Sequence, residues 1–350
     1  MHVYELAGKP CPVYTNPADH LLDVITPPKN SGEATAEERE LDAKILEEQE
    51  PVHIDLNLGV NKRLQAVPIP PGQPWLKQVQ VLLRRTFKEQ YRKRNILIAS
   101  IVQAIIMAIL IGTAFIHIGT GQKSIVRREP VIFFCVINQG IFGALTVINT
   151  FPVERALTLR ERASGSYKAS AYFIAKIIVE TLVLIPIPIF FSCIVYFLVG
   201  LQPHVGKFFL FMFFMFLSIL SATSLALMVS ALCRTADLSV AVLPLALEIT
   251  RLFGGYFLAP ANLPKYFAWL DALSSVKYAY VGTSINEQSG LTLTCTAAEK
   301  VNGTCITSGE YFIHQYGFNY IPIGGCIGAL FAYIIFCRSV AFLGVRFLKS

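Results

Sequence analysis

The chain has 350 residues, of which 54% are hydrophobic and 15% are charged, and its formal net charge is +7. A soluble domain carries about 25% charged residues, so this composition and the apolar runs of about 20 residues favour a polytopic membrane protein. The cysteines form no CxxC pair and no Cys/His cluster with zinc spacing, so the sequence predicts no metal site.

The first 74 residues precede the apolar runs and divide into two parts. Residues 1–28 contain scattered apolar side chains, and so short a segment cannot bury a core by itself. We therefore expect it to belong to a larger domain. Residues 29–74 are first acidic and then rich in proline, which is typical of a disordered or extended linker.

Residues 75–94 are predicted to form an amphipathic helix. Apolar side chains from Val79 to Tyr91 recur at helical spacing, and basic side chains fill the other face. Such a helix next to a membrane span is expected to lie in the interface, close to anionic headgroups. Nucleic-acid binding is the alternative, and it is less favoured because a predicted span follows immediately.

Six apolar runs follow within residues 95–350, and each is long enough to cross a bilayer core of about 30 Å as a helix. The third run is expected to bend near Pro186 and Pro188. The sequence therefore predicts an all-α membrane domain with spans at about 96–118, 131–151, 171–199, 208–232, 238–258 and 321–345.

The placement of Lys and Arg predicts that both termini are cytosolic, because basic residues precede span one and follow spans two and six. Lys123, Arg127 and Arg128, in the first outer loop, run against this rule. The longest outer loop, 259–320, contains the only Asn-x-Ser/Thr sequon, at Asn302, between Cys295 and Cys305. A glycan on Asn302 and a disulfide between the two cysteines both fit an oxidising outer face.

Two groups of charged residues lie within or beside the predicted spans. Glu248 and Arg251, in span five, are spaced to share one helix face and to pair. They either line a substrate path between two protomers or form a structural ion pair. Lys176 and Glu180 are expected to form a structural pair near the cytosolic end of span three, with Arg234 as a hypothetical further partner.

Several stretches closely resemble the membrane domain of G-subfamily ABC transporters, the White and breast-cancer-resistance type of half-transporter. They are ERALTLRERASGSYKASAYFIAK, YFLVGLQP and LFGGYFLAPANLPKYFAWLDALSSVKYAYVGTSINEQSG. The opening GKPCPVYTNPADHLLDVI is similar to the last stretch of that family's nucleotide-binding domain. The resemblance implies an ABC-2 type fold and ATP-driven movement of a lipid, sterol or amphipathic xenobiotic by a dimer of half-transporter protomers.

The sequence departs from this family in one large respect. It has no P-loop GxxxxGK[ST], no LSGGQ-like signature and no Walker B run. We therefore expect the chain itself not to be an enzyme, and we expect ATP and Mg²⁺ on a nucleotide-binding domain of which it holds only the tail. The alternative function is a truncated, non-transporting subunit that modulates full-length half-transporters. The plasma membrane is the default location.

The resemblance also assigns roles to residues. The charged segment after span two resembles a coupling helix that engages the nucleotide-binding domain, although spacing alone leaves an ordinary solvated loop open. Its candidate residues are Glu154, Arg155, Arg160, Glu161, Arg162 and Gly165. In span two, the residues expected to face a central cavity are Asn138, Gln139, Ile141 and Phe142; for Asn138, interhelical hydrogen bonding is the alternative.

After span five, the resemblance places Tyr256 and Phe257 in a bulky plug between the inner cavity and the exit. Pure packing is the competing explanation. The neighbouring glycines, Gly254 and Gly255, are expected to let two copies of the backbone approach closely.

Overall fold

The computed structural model describes residues 73–347, apart from 123, 164–166, 234, 259–263 and 296–305. The predictions for residues 1–28, and for all but the last two residues of the linker 29–74, lie outside this part of the chain. Within the described residues the secondary structure is helical, apart from an isolated bridge between Thr292 and Ser308.

The described helices are numbered here in chain order. In order they are α1 (Trp75–Arg92), α2 (Arg94–Ala114), α3 (Ser124–Ala163), α4 (Ala169–Leu184), α5 (Pro186–Val199), α6 (Val205–Leu232), α7 (Ala236–Leu252), α8 (Ala268–Leu273), α9 (Ser275–Gln288), α10 (Glu310–Gln315) and α11 (Ile323–Phe347).

Helix α1 confirms the helix predicted from the basic amphipathic pattern. Its buried Leu82, with Val79 and Leu83, packs against Ala171 and Ala175 at the start of α4. The helix ends at Arg92, and a single residue, Lys93, separates it from α2. The apolar face of α1 therefore lies partly against the bundle.

Five described segments are long and apolar enough to cross a membrane: Arg94–Ala114, Val126–Val147, Ala169–Val199, Val205–Leu232 and Ile323–Arg346. The third confirms the predicted bend, because α4 ends at Leu184 and α5 begins at Pro186. Proline has no N–H to donate and interrupts the helical hydrogen-bond ladder at this point.

The predicted fifth span, 238–258, is wrong at its carboxyl end. Helix α7 stops at Leu252 and has 17 residues, which gives a length of about 25 Å. Residues 253–258 are non-helical, and Gly255 has φ +84°. This left-handed conformation cannot continue an α-helix, so the glycines end the helix before it reaches the length of the other spans.

The predicted outer loop 259–320 also differs from expectation, because it folds back into the bundle. Helix α9 packs against α3, α6 and α11, and Ala279, Tyr280 and Val281 are fully buried. At Gly282 a Cβ atom would overlap the ring of Phe214 in α6. Glycine is therefore what allows these two helices to approach so closely.

Helix α6 lies at the centre of the bundle, between α3 and α11. Its side chains are buried on several faces, and Phe214, Met215 and Leu217 are inaccessible to solvent. Helices α2 and α5 form a second contact pair beside this centre. The arrangement places α3 so that one face meets α6 and α7 and another meets α2.

Candidate substrate path

A cleft lies between α3, α6, α7 and the start of α9, with about 420 Å³ of open space that includes open solvent. Ile137, Gly140 and Ile141 of α3 form one wall, and Leu247 and its neighbours on α7 form the opposite wall. Glycine at position 140 leaves space, since only Ala222 and Ser218 of α6 lie within 4 Å of where its Cβ would be. The walls are mostly apolar.

Glu248 and Arg251 also line this cleft and form an ion pair. The carboxylate Oε2 lies 2.5 Å from Arg251 Nη2, and the two side chains are 55% and 41% exposed. Spacing of three residues places both on one face of α7, as the sequence predicts. Among the described residues that line the cleft, they carry the only charges.

The hydroxyl groups of the cleft are bonded to nearby backbone. Ser218 Oγ donates to the Val136 carbonyl at 2.9 Å, and Thr250 Oγ1 donates to the Leu247 carbonyl at 2.8 Å. The first bond joins α6 to α3 and the second lies within α7, so both hydroxyl donors are satisfied. The ion pair is therefore the strongest polar feature that a molecule in the cleft would meet.

The four predicted residues of span two do not lie together. Ile141 faces the cleft with Glu248 and Arg251, whereas Asn138 and Phe142 line a separate, smaller cleft against α2, α5 and α6, together with the buried Gln139. Residues four apart share a helix face, and adjacent residues do not. Within this chain Ile141 is thus separated from Asn138 and Phe142, while the prediction that all four face the central cavity of a dimer stays a prediction.

An aromatic cluster lies beyond the carboxyl end of α7. The Tyr256 ring stacks on Phe133 with centroids 4.6 Å apart, and Phe257 meets Phe133 edge-on at 5.3 Å. Tyr280 of α9 completes the cluster, 5.3 Å from Phe133. At Gly254, a Cβ would lie 2.8 Å from Val276 of the same chain. That glycine therefore serves a close contact within one chain.

Two adjacent acidic and basic residues of α3 hold α9 in place, and sequence reasoning did not single them out as a site. Arg128 forms an ion pair with Glu287, and both side chains are nearly inaccessible, at 2% and 3% exposure. Arg128 Nη2 also donates to the Gly119 carbonyl at 2.6 Å, and the Gln202 backbone N–H donates to Glu287 Oε1 at 3.2 Å. Burial raises the pKa of the Glu287 carboxyl to about 7, and Arg128 opposes that rise.

Glu129 makes a second set of contacts to α9, with partners that are polar but uncharged. Its carboxylate accepts hydrogen bonds from Tyr280, from Ser284 Oγ at 3.0 Å and from Gln288 Nε2 at 2.8 Å. Together with Arg128, it clamps α9 to the start of α3. Arg128, whose position in an outer loop departs from the positive-inside rule, is thus paired with Glu287 inside the protein. That departure is the sequence signal that could have identified this site.

The predicted pair in span three is present, with a partner that the sequence did not reveal. Lys176 Nζ lies 3.0 Å from Glu180 Oε1, while Arg234 lies outside the described residues. From α11, Arg338 donates to Thr181 Oγ1 at 3.3 Å and to Ser224 Oγ at 3.1 Å. A polar cluster therefore joins α4, α6 and α11.

The coupling segment is described in part. Its backbone continues the helix of span two as far as Ala163, but Gly165 and the side chains of Glu154, Arg155, Arg160, Glu161 and Arg162 lie outside what the structure describes. After the coupling segment, the residues at the start of α4 are hydrogen-bonded to α1. Trp75 Nε1 donates to Ser170 Oγ at 3.1 Å, and the Lys168 N–H donates to Gln78 Oε1 at 3.1 Å.

In the outer loop, Cys295 is disulfide-bonded, while Cys305 and Asn302 lie outside the described residues. The described part of the chain contains no group of three or more His, Cys, Asp or Glu side chains that could hold a metal ion.

These features define a polytopic, all-α membrane domain with an internal cleft. Residues 77–287 match the family model described as ABC-2 type transporter. Because this match covers more than half of the chain, the chain belongs to the ABC-2 type transporter family, and its relatives are of the G subfamily.

Three relatives illustrate the similarity. The bovine broad substrate specificity ATP-binding cassette transporter ABCG2 is 26% identical, with 98% of this chain and 57% of the relative aligned. Protein white from Ceratitis capitata is 29% identical over 70% of this chain and 36% of the relative. Arabidopsis ABC transporter G family member 7 is 25% identical over 95% of this chain and 47% of the relative. The aligned part of this chain thus corresponds to between 36% and 57% of the length of these relatives.

Proposed function

We propose that this chain is the membrane-spanning part of an ATP-driven exporter that works with a second half-transporter protomer. ATP and Mg²⁺ would act on a nucleotide-binding domain, and this chain would supply the path and the coupling helix. The observation that carries the proposal is the ABC-2 family match over residues 77–287, which includes every wall of the cleft.

The chemistry of the cleft supports a hydrophobic or amphipathic substrate. Its walls are mostly apolar, and the charges among its described lining residues belong to one ion pair, Glu248 and Arg251. We propose that lipids, sterols or amphipathic xenobiotics are moved, with Tyr256 and Phe257 closing the outer end. The relative named as having broad substrate specificity is consistent with such a path.

We further propose that the protein lies in the plasma membrane with both termini cytosolic. In that orientation, the helical extension of α3 to Ala163 projects towards the cytosol, where a nucleotide-binding domain would meet it. A glycan on Asn302 and a disulfide between Cys295 and Cys305 would lie on the outer face.

The test is reconstitution of the full chain in proteoliposomes with a G-subfamily nucleotide-binding domain. A fluorescent sterol, a fluorescent phospholipid and a cationic amphipathic dye serve as transport probes. We expect vanadate-sensitive movement of at least one probe, and none when the P-loop lysine of the added domain is replaced. Correctly inserted, dimeric protein that moves no probe would contradict the proposal.

A second candidate function is modulation of full-length half-transporters, with which this chain would form mixed dimers. Co-expression with a full-length half-transporter distinguishes it: a modulator lowers transport in proportion to the mixed dimer formed, whereas an unrelated membrane protein does not.

A further inference from the structure

A second groove, separate from the candidate path, opens at the junction of α1 and α2. It has about 660 Å³ of open space, a volume that includes open solvent. Its walls come from α2, α3 and the bent pair α4–α5. None of the described residues that line it also lines the cleft with Glu248 and Arg251.

The groove is polar at one end and apolar along its length. Lys93 lies at the mouth, in the break between the two helices. Ile96 and Leu97 of α2 face Val183, Leu184 and Ile187 across the groove. This is the pattern that fits a molecule with a polar head and a long apolar tail.

The mouth of the groove favours a negatively charged head. Lys93, which lines the groove, lies between Arg92 and Arg94 at the junction of the two helices, and the first turn of α2 contains no acidic residue. Residues 75–94 carry the basic side chains Lys77, Arg84, Arg85, Lys88, Arg92, Lys93 and Arg94 against one acidic residue, Glu89.

Two carboxylates near the groove do not cancel this charge. Glu89 lies 2.7 Å from Lys93, but the two side chains are 41% and 44% exposed, and an exposed pair of this kind is weak and readily exchanged. Glu180 lines the groove and already pairs with Lys176 at 3.0 Å.

We propose that this groove binds an anionic glycerophospholipid of the leaflet that α1 meets, with its phosphate at Lys93 and one acyl chain between Leu97 and Ile187. The hydroxyls of Ser100 and Thr146, which also line the groove, donate to the Ile96 and Phe142 carbonyls within their own helices. These hydroxyls therefore leave no unsatisfied donor facing an apolar acyl chain. The inference depends only on the membrane location of the domain and not on transport.

The test uses the full chain in nanodiscs and a phosphatidic acid that carries a photoactivatable group on one acyl chain. After illumination, peptides that contain α2 and the α4–α5 bend are analysed for cross-links by mass spectrometry. We expect cross-links at these peptides, and fewer by about tenfold in Lys93→Gln, the effect of losing one charge-assisted hydrogen bond to the phosphate. Leu97→Trp, which fills the groove, should abolish them.

Lys88→Gln is the matched control, because Lys88 is an exposed cation of α1 that does not line the groove. It should leave the groove cross-links within about twofold of wild type. Equal losses in Lys88→Gln and Lys93→Gln would overturn the proposal in favour of general attraction to the membrane surface. Equal labelling by a zwitterionic phosphatidylcholine probe would overturn the head-group assignment.

Discussion

Among single residues, Arg128 and Glu287 make the most consequential contact outside the candidate path. Glu287→Gln would leave the Arg128 guanidinium buried without a counter-charge. Breaking a buried pair in this way costs about 3–5 kcal/mol. We expect a clear fall in the midpoint of thermal unfolding of the detergent-solubilised chain, and a lower yield of folded protein.

The matched control is Glu310→Gln, because Glu310 is exposed, and its effect should be within about 0.5 kcal/mol. Replacing both partners with apolar residues, Arg128→Met with Glu287→Leu, should recover much of the loss, since no unpaired charge remains. A Glu287→Gln protein as stable as wild type would contradict the importance given to this pair.

Arg251 is expected to act on transport more than on folding, because it is half-exposed and lines the cleft. Arg251→Leu would leave Glu248 as an unpaired carboxylate within an apolar path, which is costly at membrane depth. We expect probe transport to fall about fivefold or more while the surface level is largely kept. Adding Glu248→Gln should restore transport; normal transport in Arg251→Leu alone would exclude a role in the path.

At the scale of elements, α9 and α6 make a close contact at Gly282. Gly282→Ala would drive a methyl group into the Phe214 ring, and overpacking of this kind costs about 1–3 kcal/mol. We expect a lower unfolding midpoint, with partial rescue when Phe214→Leu is added. Gly206→Ala in α6 is the control, because nothing lies within 4 Å of that position, and it should be neutral or stabilising.

The elements that sequence reasoning predicted well are those with long apolar runs or a strong amphipathic pattern. Helices α1, α2, α6 and α11 lie close to their predicted positions because these signals are local. Helix α9 was not predicted, because its sequence, SVKYAYVGTSINEQ, mixes polar and apolar residues. Its burial depends on partners such as Arg128 and Glu129, which are far away in the sequence.

For the candidate site, sequence reasoning identified the charged pair of α7 and the aromatic residues after it. It did not predict that Ile141 and Phe142 line different clefts. A resemblance to a family matches positions along the chain, but it does not show which face of the helix each side chain occupies. The polar partners Glu287 and Arg338 were also missed, since pairing over more than 100 residues leaves no local pattern.

At the scale of the whole molecule, the predicted orientation depends on the outer loop that carries Asn302. If this loop lies outside the cell, the chain from mammalian cells should carry one N-linked glycan. We expect digestion by an N-glycosidase to increase its electrophoretic mobility, and Asn302→Gln to remove that shift. An unglycosylated chain whose loop is cleaved by protease only after the membrane is opened would contradict the orientation.

The central claim is that molecules pass through the cleft between α3, α6 and α7. Adjacent residues of α3 provide the most direct test, because Ile141 lines this cleft and Phe142 lies on another face. The measurement is maleimide labelling of Ile141→Cys and Phe142→Cys, in a background in which the exposed Cys193 is replaced by serine, with and without a transported probe. We predict that the probe protects the cysteine at 141 and not the one at 142. Protection at 142 alone, or at neither position while transport proceeds, would contradict the account.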